Sequence, residues 1–117
     1  MKLKGYLSIV DKYGKLHFTY LPNEDETGKK DNTHSKLTQI LEKHVQNGRI
    51  VPFDNDGFYV KIRKNDIEMY QMLIGRQVNV KVKMYEYNFK SKLQDNYGEF
   101  ISGVGFNLIE LYPITEI

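Results

Sequence analysis

Val78-Asn79-Val80-Lys81-Val82-Lys83-Met84-Tyr85-Glu86-Tyr87-Asn88-Phe89 is the stretch on which the fold turns. Side chains along a strand alternate between two faces. Val78, Val80, Val82 and Met84 therefore share one face, and Asn79, Lys81, Lys83, Tyr85, Tyr87 and Phe89 share the other. One face is apolar and the other is basic and aromatic. A polar connection from Lys90 to Gly98 follows, and then Phe100, Ser102, Val104, Phe106 and Leu108 alternate with Ile101, Gly103, Gly105 and Asn107. Two long alternating runs predict a long C-terminal hairpin. The phase breaks near Leu108-Ile109, which predicts a bulge or the strand end, and Pro113 closes the pattern.

Upstream, Tyr6, Ser8 and Val10 alternate with Leu7 and Ile9, and Leu16, Phe18 and Tyr20 alternate with Lys15, His17 and Thr19. The intervening Asp11-Lys12-Tyr13-Gly14 is turn-like, so the pair predicts a hairpin. Residues 22–33 carry three acids in a row, a Gly and two Lys, with no large apolar side chain, and predict a mobile surface loop. Leu37, Ile40, Leu41 and Val45 fall on one helical face, started by Thr33 or Ser35 and stopped at Asn47-Gly48. Asp54-Asn55-Asp56-Gly57 predicts a turn, and Phe58, Val60 and Ile62 a third strand. Asn65 with Glu68 resembles a capping box ahead of a short helix carrying Tyr70, Leu73 and Ile74 and ending at Gly75.

The order is strand, strand, helix, strand, short helix, long strand, long strand. One mainly β domain over 1–117 follows: a five-stranded barrel of the oligonucleotide-binding (OB) type, with one or two short helices and a long C-terminal hairpin. The helix ahead of strand three departs from that plan.

Composition removes whole classes. The 117 residues hold no Cys, which excludes disulfides, thiolate metal sites and Cys nucleophiles. His17, His34 and His44 have no metal-ligand spacing, and Asp54–Gly57 fails the register of a calcium loop, since Pro52 and Arg63 would fall at ligand positions. No phosphate loop, dinucleotide fingerprint or nucleophile motif occurs. A non-enzyme without metal or cofactor is expected. No apolar run approaches about 18 residues, and Met1–Tyr6 has no signal stretch. An intracellular, cytoplasmic protein away from the membrane is expected.

Net charge is only +2, but it is unevenly spread. Residues 57–92 carry eight basic side chains against three acidic, whereas residues 93–117 carry four acids and no base. The positive block coincides with the aromatic strands. Cations attract a phosphate backbone, and rings stack on bases, worth ~1–3 kcal/mol each. Having both on one strand face suits single-stranded nucleic acid. Lys alternating with Val also suits any solvated strand, and Tyr85, Tyr87 and Phe89 would equally serve a shifted core or a dimer interface. The candidate binding residues are Tyr59, Lys61, Arg63, Lys81, Lys83, Tyr85, Tyr87, Phe89, Lys90 and Lys92.

Val80–Phe89 followed by Gly98–Leu108 resembles the last hairpin of the short OB-fold single-stranded DNA-binding proteins of phages and large DNA viruses. Their lysine-alternating strand ends in a Tyr-Asn-Phe-like triplet and returns through a Gly-containing strand. Asp56-Gly57-Phe58-Tyr59-Val60-Lys61-Ile62, the short helix and Gly75 look like the segment just upstream in that family. The resemblance covers about residues 56–112. It implies sequence-tolerant binding of single-stranded DNA in replication, recombination or repair, within an infected host cell, with Tyr85, Tyr87, Phe89, Lys81 and Lys83 lining the groove. Many members recruit replication proteins through an acidic tail. Ile114-Thr115-Glu116-Ile117 has too few acids for that. RNA as ligand, a homodimer, and a non-catalytic interaction module using the same aromatic face stand as alternatives.

Overall fold

A computed structural model of the chain describes residues 1–22, 33–92 and 97–114. The loop expected at 22–33 lies, beyond Pro22 and before Thr33, outside the described residues. Five strands form the frame: β1 (Lys2–Val10), β2 (Lys15–Thr19), β3 (Gly57–Lys61), β4 (Gln77–Lys90) and β5 (Phe100–Pro113). They close into a barrel in the order β1-β2-β3-β5-β4, with β4 returning to β1. All pairings are antiparallel except β3 with β5, which is parallel. The expected mainly β, five-stranded OB-like barrel is the observed fold.

The barrel interior takes one face of each strand. Leu3 and Leu7, Leu16 and Phe18, Phe58 and Val60, Val78, Val80 and Val82, and Val104 and Phe106 are all buried together. Burial of such side chains is the main favourable term, about 1.5–3 kcal/mol each. The hairpin β4–β5 stays in register from Lys90↔Phe100 to Val82↔Leu108, then resumes one residue later at Lys81↔Glu110. Ile109 is thus the extra residue of a bulge in β5. Its effect is to bring Leu111 rather than Tyr112 back against the core, which is the phase break visible in the sequence. A second bulge, between Leu7 and Ile9 of β1, corrects the first hairpin. Ile9 is exposed and Val10 packs on the core, because the irregularity reverses the alternation past Leu7.

The helices differ in detail from expectation. Among the described residues there are three short ones: α1 (Thr33–Ile40), α2 (Glu42–Gln46) and α3 (Ile67–Gln71), the last preceded by a 3₁₀ turn over Lys64–Asp66. The predicted helix bends at Leu41 (φ −101°, ψ 10°). Leu37 and Leu41 join the core, whereas Ile40 and Val45, to either side of that pair on the helix surface, are exposed. The stop at Asn47-Gly48 is a Schellman cap. Gly48 (φ 72°) lets its own amide reach Val45 O at 3.1 Å and the Arg49 amide reach His44 O at 3.0 Å. The Asn65/Glu68 capping box does not form, since neither the 3₁₀ turn nor α3 has a side-chain cap. The chain instead winds into α3 through the 3₁₀ turn, where the Asp66 amide donates to Arg63 O. Tyr70 and Leu73 pack on the core, while Ile74 is exposed. Among the described residues no helix is long and apolar enough to cross a membrane.

Parallel contact between β3 and β5 is brief, at Lys61↔Asn107. Above it the strands part, and residues 50–53 fill the gap. Ile50 pairs with Gly103, giving its amide to Ser102 O and accepting from Val104 N, while Pro52 O accepts from Tyr59 N. Asp54 Oδ1 accepts from the Asp56 and Gly57 amides at 2.8 and 3.0 Å, which makes the expected turn an Asx turn.

Candidate nucleic-acid interface

The face left outside the barrel is ordered by the strand register. Lys15 of β2 lies opposite Lys61 of β3, Lys61 is beside Asn107 of β5, and Asn107 is opposite Lys83 of β4. Three lysines and an asparagine therefore form one row across four strands. Two residues along each strand, about 6.6 Å away, lie His17, Tyr59, Gly105 and Tyr85. Tyr87 opposite Gly103 and Phe89 opposite Ile101 extend the face along the hairpin.

The rings form a series. Tyr85 and Tyr87 have centroids 6.1 Å apart, and Tyr87 and Phe89 are also 6.1 Å apart, with planes only 17° from parallel. The face of Tyr59 carries the Lys15 ammonium, 4.8 Å from its centroid, within cation–π range. A cleft of about 350 Å³ lies between Tyr59, Lys61, Tyr85, Tyr87 and Gly105. Tyr59, Tyr85 and Tyr87 are half-buried, whereas Phe89 is 50% exposed.

The tyrosines can lean inward because β5 has glycines under them. A Cβ on Gly105 would collide with the Tyr85 ring, and one on Gly103 with the Tyr87 ring. The glycines of β5 are thus the floor on which the aromatic face rests, as in aromatic cover of strand glycines.

Burial, then the neighbouring Tyr87 and Tyr85 phenols, push the Tyr59 phenol above its ordinary 10.0. Burial and Tyr85 do the same to Tyr87. The site is accordingly lined with neutral rings bordered by lysine cations. At its edge His17 Nε2 sits 2.8 Å from Asp11 Oδ2, with the His17 ring 5.9 Å from that of Tyr59. Burial alone would push the Asp11 carboxyl up. The hydrogen bonds from His17 and from the Lys15 and Tyr13 amides outweigh it, and its pKa falls below 3.8.

Of the residues singled out in sequence, Tyr59, Lys61, Lys83, Tyr85, Tyr87 and Phe89 share this face. Lys81 points outward too, but between Lys2 of β1 and Glu110 of β5, at the far side of the row. Arg63 lies past the end of β3 in a neighbouring cleft. Lys90 follows Phe89 in the alternation and so takes the opposite face of the hairpin. Lys92 is exposed beyond the end of β4. On that opposite face Glu86 meets Arg49, Nη1 to Oε1 3.4 Å, and Arg49 Nη1 in turn touches His44 Nδ1 at 3.0 Å. Lys15, His17 and Asn107 complete the aromatic face and were not among the sequence candidates. Their alternation with Leu16, Phe18, Phe106 and Leu108 marked them as outward, but only the pairing of β2, β3 and β5 shows what they border. Compared with known proteins, the chain matches no family model, no curated protein and no solved structure.

Proposed function

We propose that this protein binds single-stranded nucleic acid, DNA in the first instance, with little sequence preference and without catalysis. The observation that carries the reading is the outward row Tyr85, Tyr87 and Phe89 ending at the cation row of Lys83, Lys61 and Lys15. Successive centroids at 6.1 Å are nearly twice the ~3.4 Å rise per nucleotide of duplex DNA. A strand meeting each ring with one base is thus extended and unstacked, which a duplex cannot supply. Every base has a π face, so such stacking is tolerant of sequence. Membership of the phage and large-virus group of OB-fold single-stranded DNA-binding proteins, with a role in replication, recombination or repair, belongs to the same proposal.

The test is fluorescence anisotropy of labelled oligo-dT and of matched duplex at low and moderate salt. Wild type should bind the single strand and not the duplex. Tyr85→Ala/Tyr87→Ala should lose about 2–6 kcal/mol at ~1–3 per ring while keeping its fold by circular dichroism. A folded wild type that ignores oligo-dT refutes the proposal. Tighter binding to oligo-U would move it to RNA.

A second reading is favoured by the exposed rings at the tip of the hairpin, Tyr97 and Phe100, at 77 and 74% exposure, with Phe100 beside Lys90 on the face opposite Phe89. Such a patch suits a protein partner or a second copy of the chain. Sedimentation equilibrium of wild type and Phe100→Ser separates it: a dimer dissolved by the substitution, without oligo-dT binding, favours this reading over the first.

A further inference from the structure

We propose that a second, larger cleft beside the aromatic face receives the next nucleotides of the same bound strand, an inference that rests on the nucleic-acid reading above. This cleft, about 640 Å³, begins at Lys61, which also lines the aromatic cleft, and continues past the end of β3 to Arg63 and Lys64. The two clefts are therefore consecutive along the strand direction. From Tyr87 to Lys83 is two steps of about 6.6 Å, and from Lys61 to Arg63 is one more.

Three local features build it. The β1–β2 turn brings Tyr13, 69% exposed, to one wall. That turn is fastened to the β3 end, where the Ile62 amide donates to Gly14 O at 2.9 Å. On the other wall the β5 bulge sets Ile109 outward, 49% exposed. A bulge is a usual way to re-aim a side chain beside a site.

The lining chemistry names the ligand class. Among the described residues that line it, Lys61, Arg63 and Lys64 stand against one carboxylate, Asp66, so the cleft favours an anion. Tyr13 and Ile109 offer a ring and an apolar surface beside those cations. Phosphate next to a flat, weakly polar ring is what a nucleotide unit presents. An isolated anion would leave the ring and the aliphatic wall without a role.

The experiment is anisotropy with an oligo-dT ladder from about 4 to about 16 nucleotides, the span of OB-fold site sizes. Wild type is compared with Arg63→Gln/Lys64→Gln and, on the opposite wall, Tyr13→Ala, each checked for fold by thermal unfolding. Wild-type affinity should climb with length and then level off. Both variants should match wild type on the shortest oligomers that bind and level off earlier, about tenfold weaker. The double variant should also lose about 1.4 from its salt slope on long oligomers, at ~0.7 per phosphate. Curves that parallel wild type at every length, or an equal loss at every length, would overturn the second cleft while leaving the aromatic site standing. Absence of any wild-type binding would remove both.

Discussion

The ring of Tyr87 lies over the backbone of Gly103, its direct partner across the β4–β5 pair, in a space that any Cβ at Gly103 would occupy. Tyr85 and Gly105 repeat the relationship one step along. The glycines are thus part of the candidate site although they bring no side chain to it.

Adding a methyl group at either glycine should therefore alter the site, but unequally. The atoms nearest to an added Cβ in Gly105→Ala all belong to the Tyr85 ring, which can swing away. This substitution should cost less than about 1.5 kcal/mol of stability and weaken oligo-dT binding. Gly103→Ala also comes 2.9 Å from Ile50 O, a fixed backbone atom, and should cost about 1–3 kcal/mol. Urea unfolding of both variants, set beside their anisotropy titrations, checks the order.

Charge and stacking should separate in their salt response. Replacing Lys15, Lys61 or Lys83 singly by Gln should lower the salt slope of binding by about 0.7 each. Phe89→Leu should weaken binding at every salt concentration and leave the slope alone. Slopes taken from titrations at several potassium chloride concentrations measure both.

Core and site residues should divide cleanly in stability. Phe106, 1% exposed, should cost about 3–5 kcal/mol when truncated to Ala. Phe89, 50% exposed on the same hairpin, should cost less than about 1 kcal/mol. Equal losses in chemical denaturation would show that the hairpin tip is core instead.

The Asp11–His17 pair predicts an acid limb in stability. The folded-state pKa of Asp11 lies below 3.8, so the unfolded chain binds its proton first as pH falls. The stabilisation is complete above the unfolded pKa and is lost as pH drops through the folded value. Asp11→Asn should flatten the stability profile below about pH 4. At the other extreme, Tyr59 and Tyr87 are held above 10.0. Their neutral rings stabilise the fold below that pH, and the contribution is lost as pH rises through their folded values. Thermal unfolding followed across both ranges, with phenolate absorbance at high pH, tests each limb.

Much of this was legible because strand alternation is local. Val78, Val80 and Val82 inward and Tyr85, Tyr87 and Phe89 outward follow from a period of two, and the Leu108-Ile109 phase break marked a real bulge. The first hairpin was legible only as far as Leu7, because the irregularity that exposes Ile9 is defined by its partner strand and leaves no mark in β1 itself. The single helix failed at Leu41, where a buried side chain joins the core at a bend that periodicity does not see. Met84 shares the face of the valines, yet it is 38% exposed, because β4 there runs past its pairing with β1.

The sequence by itself determined the strands, their inward faces and the rings of the C-terminal hairpin, since each depends on neighbours one or two residues away. The tertiary structure alone decided that Lys15 and Lys61 join Lys83 in one row, and that Arg63 opens a second cleft while Lys81 sits apart. It also decided that Gly103 and Gly105 floor the aromatic face. These relations are set by register and barrel closure, which bring together residues far apart in the chain.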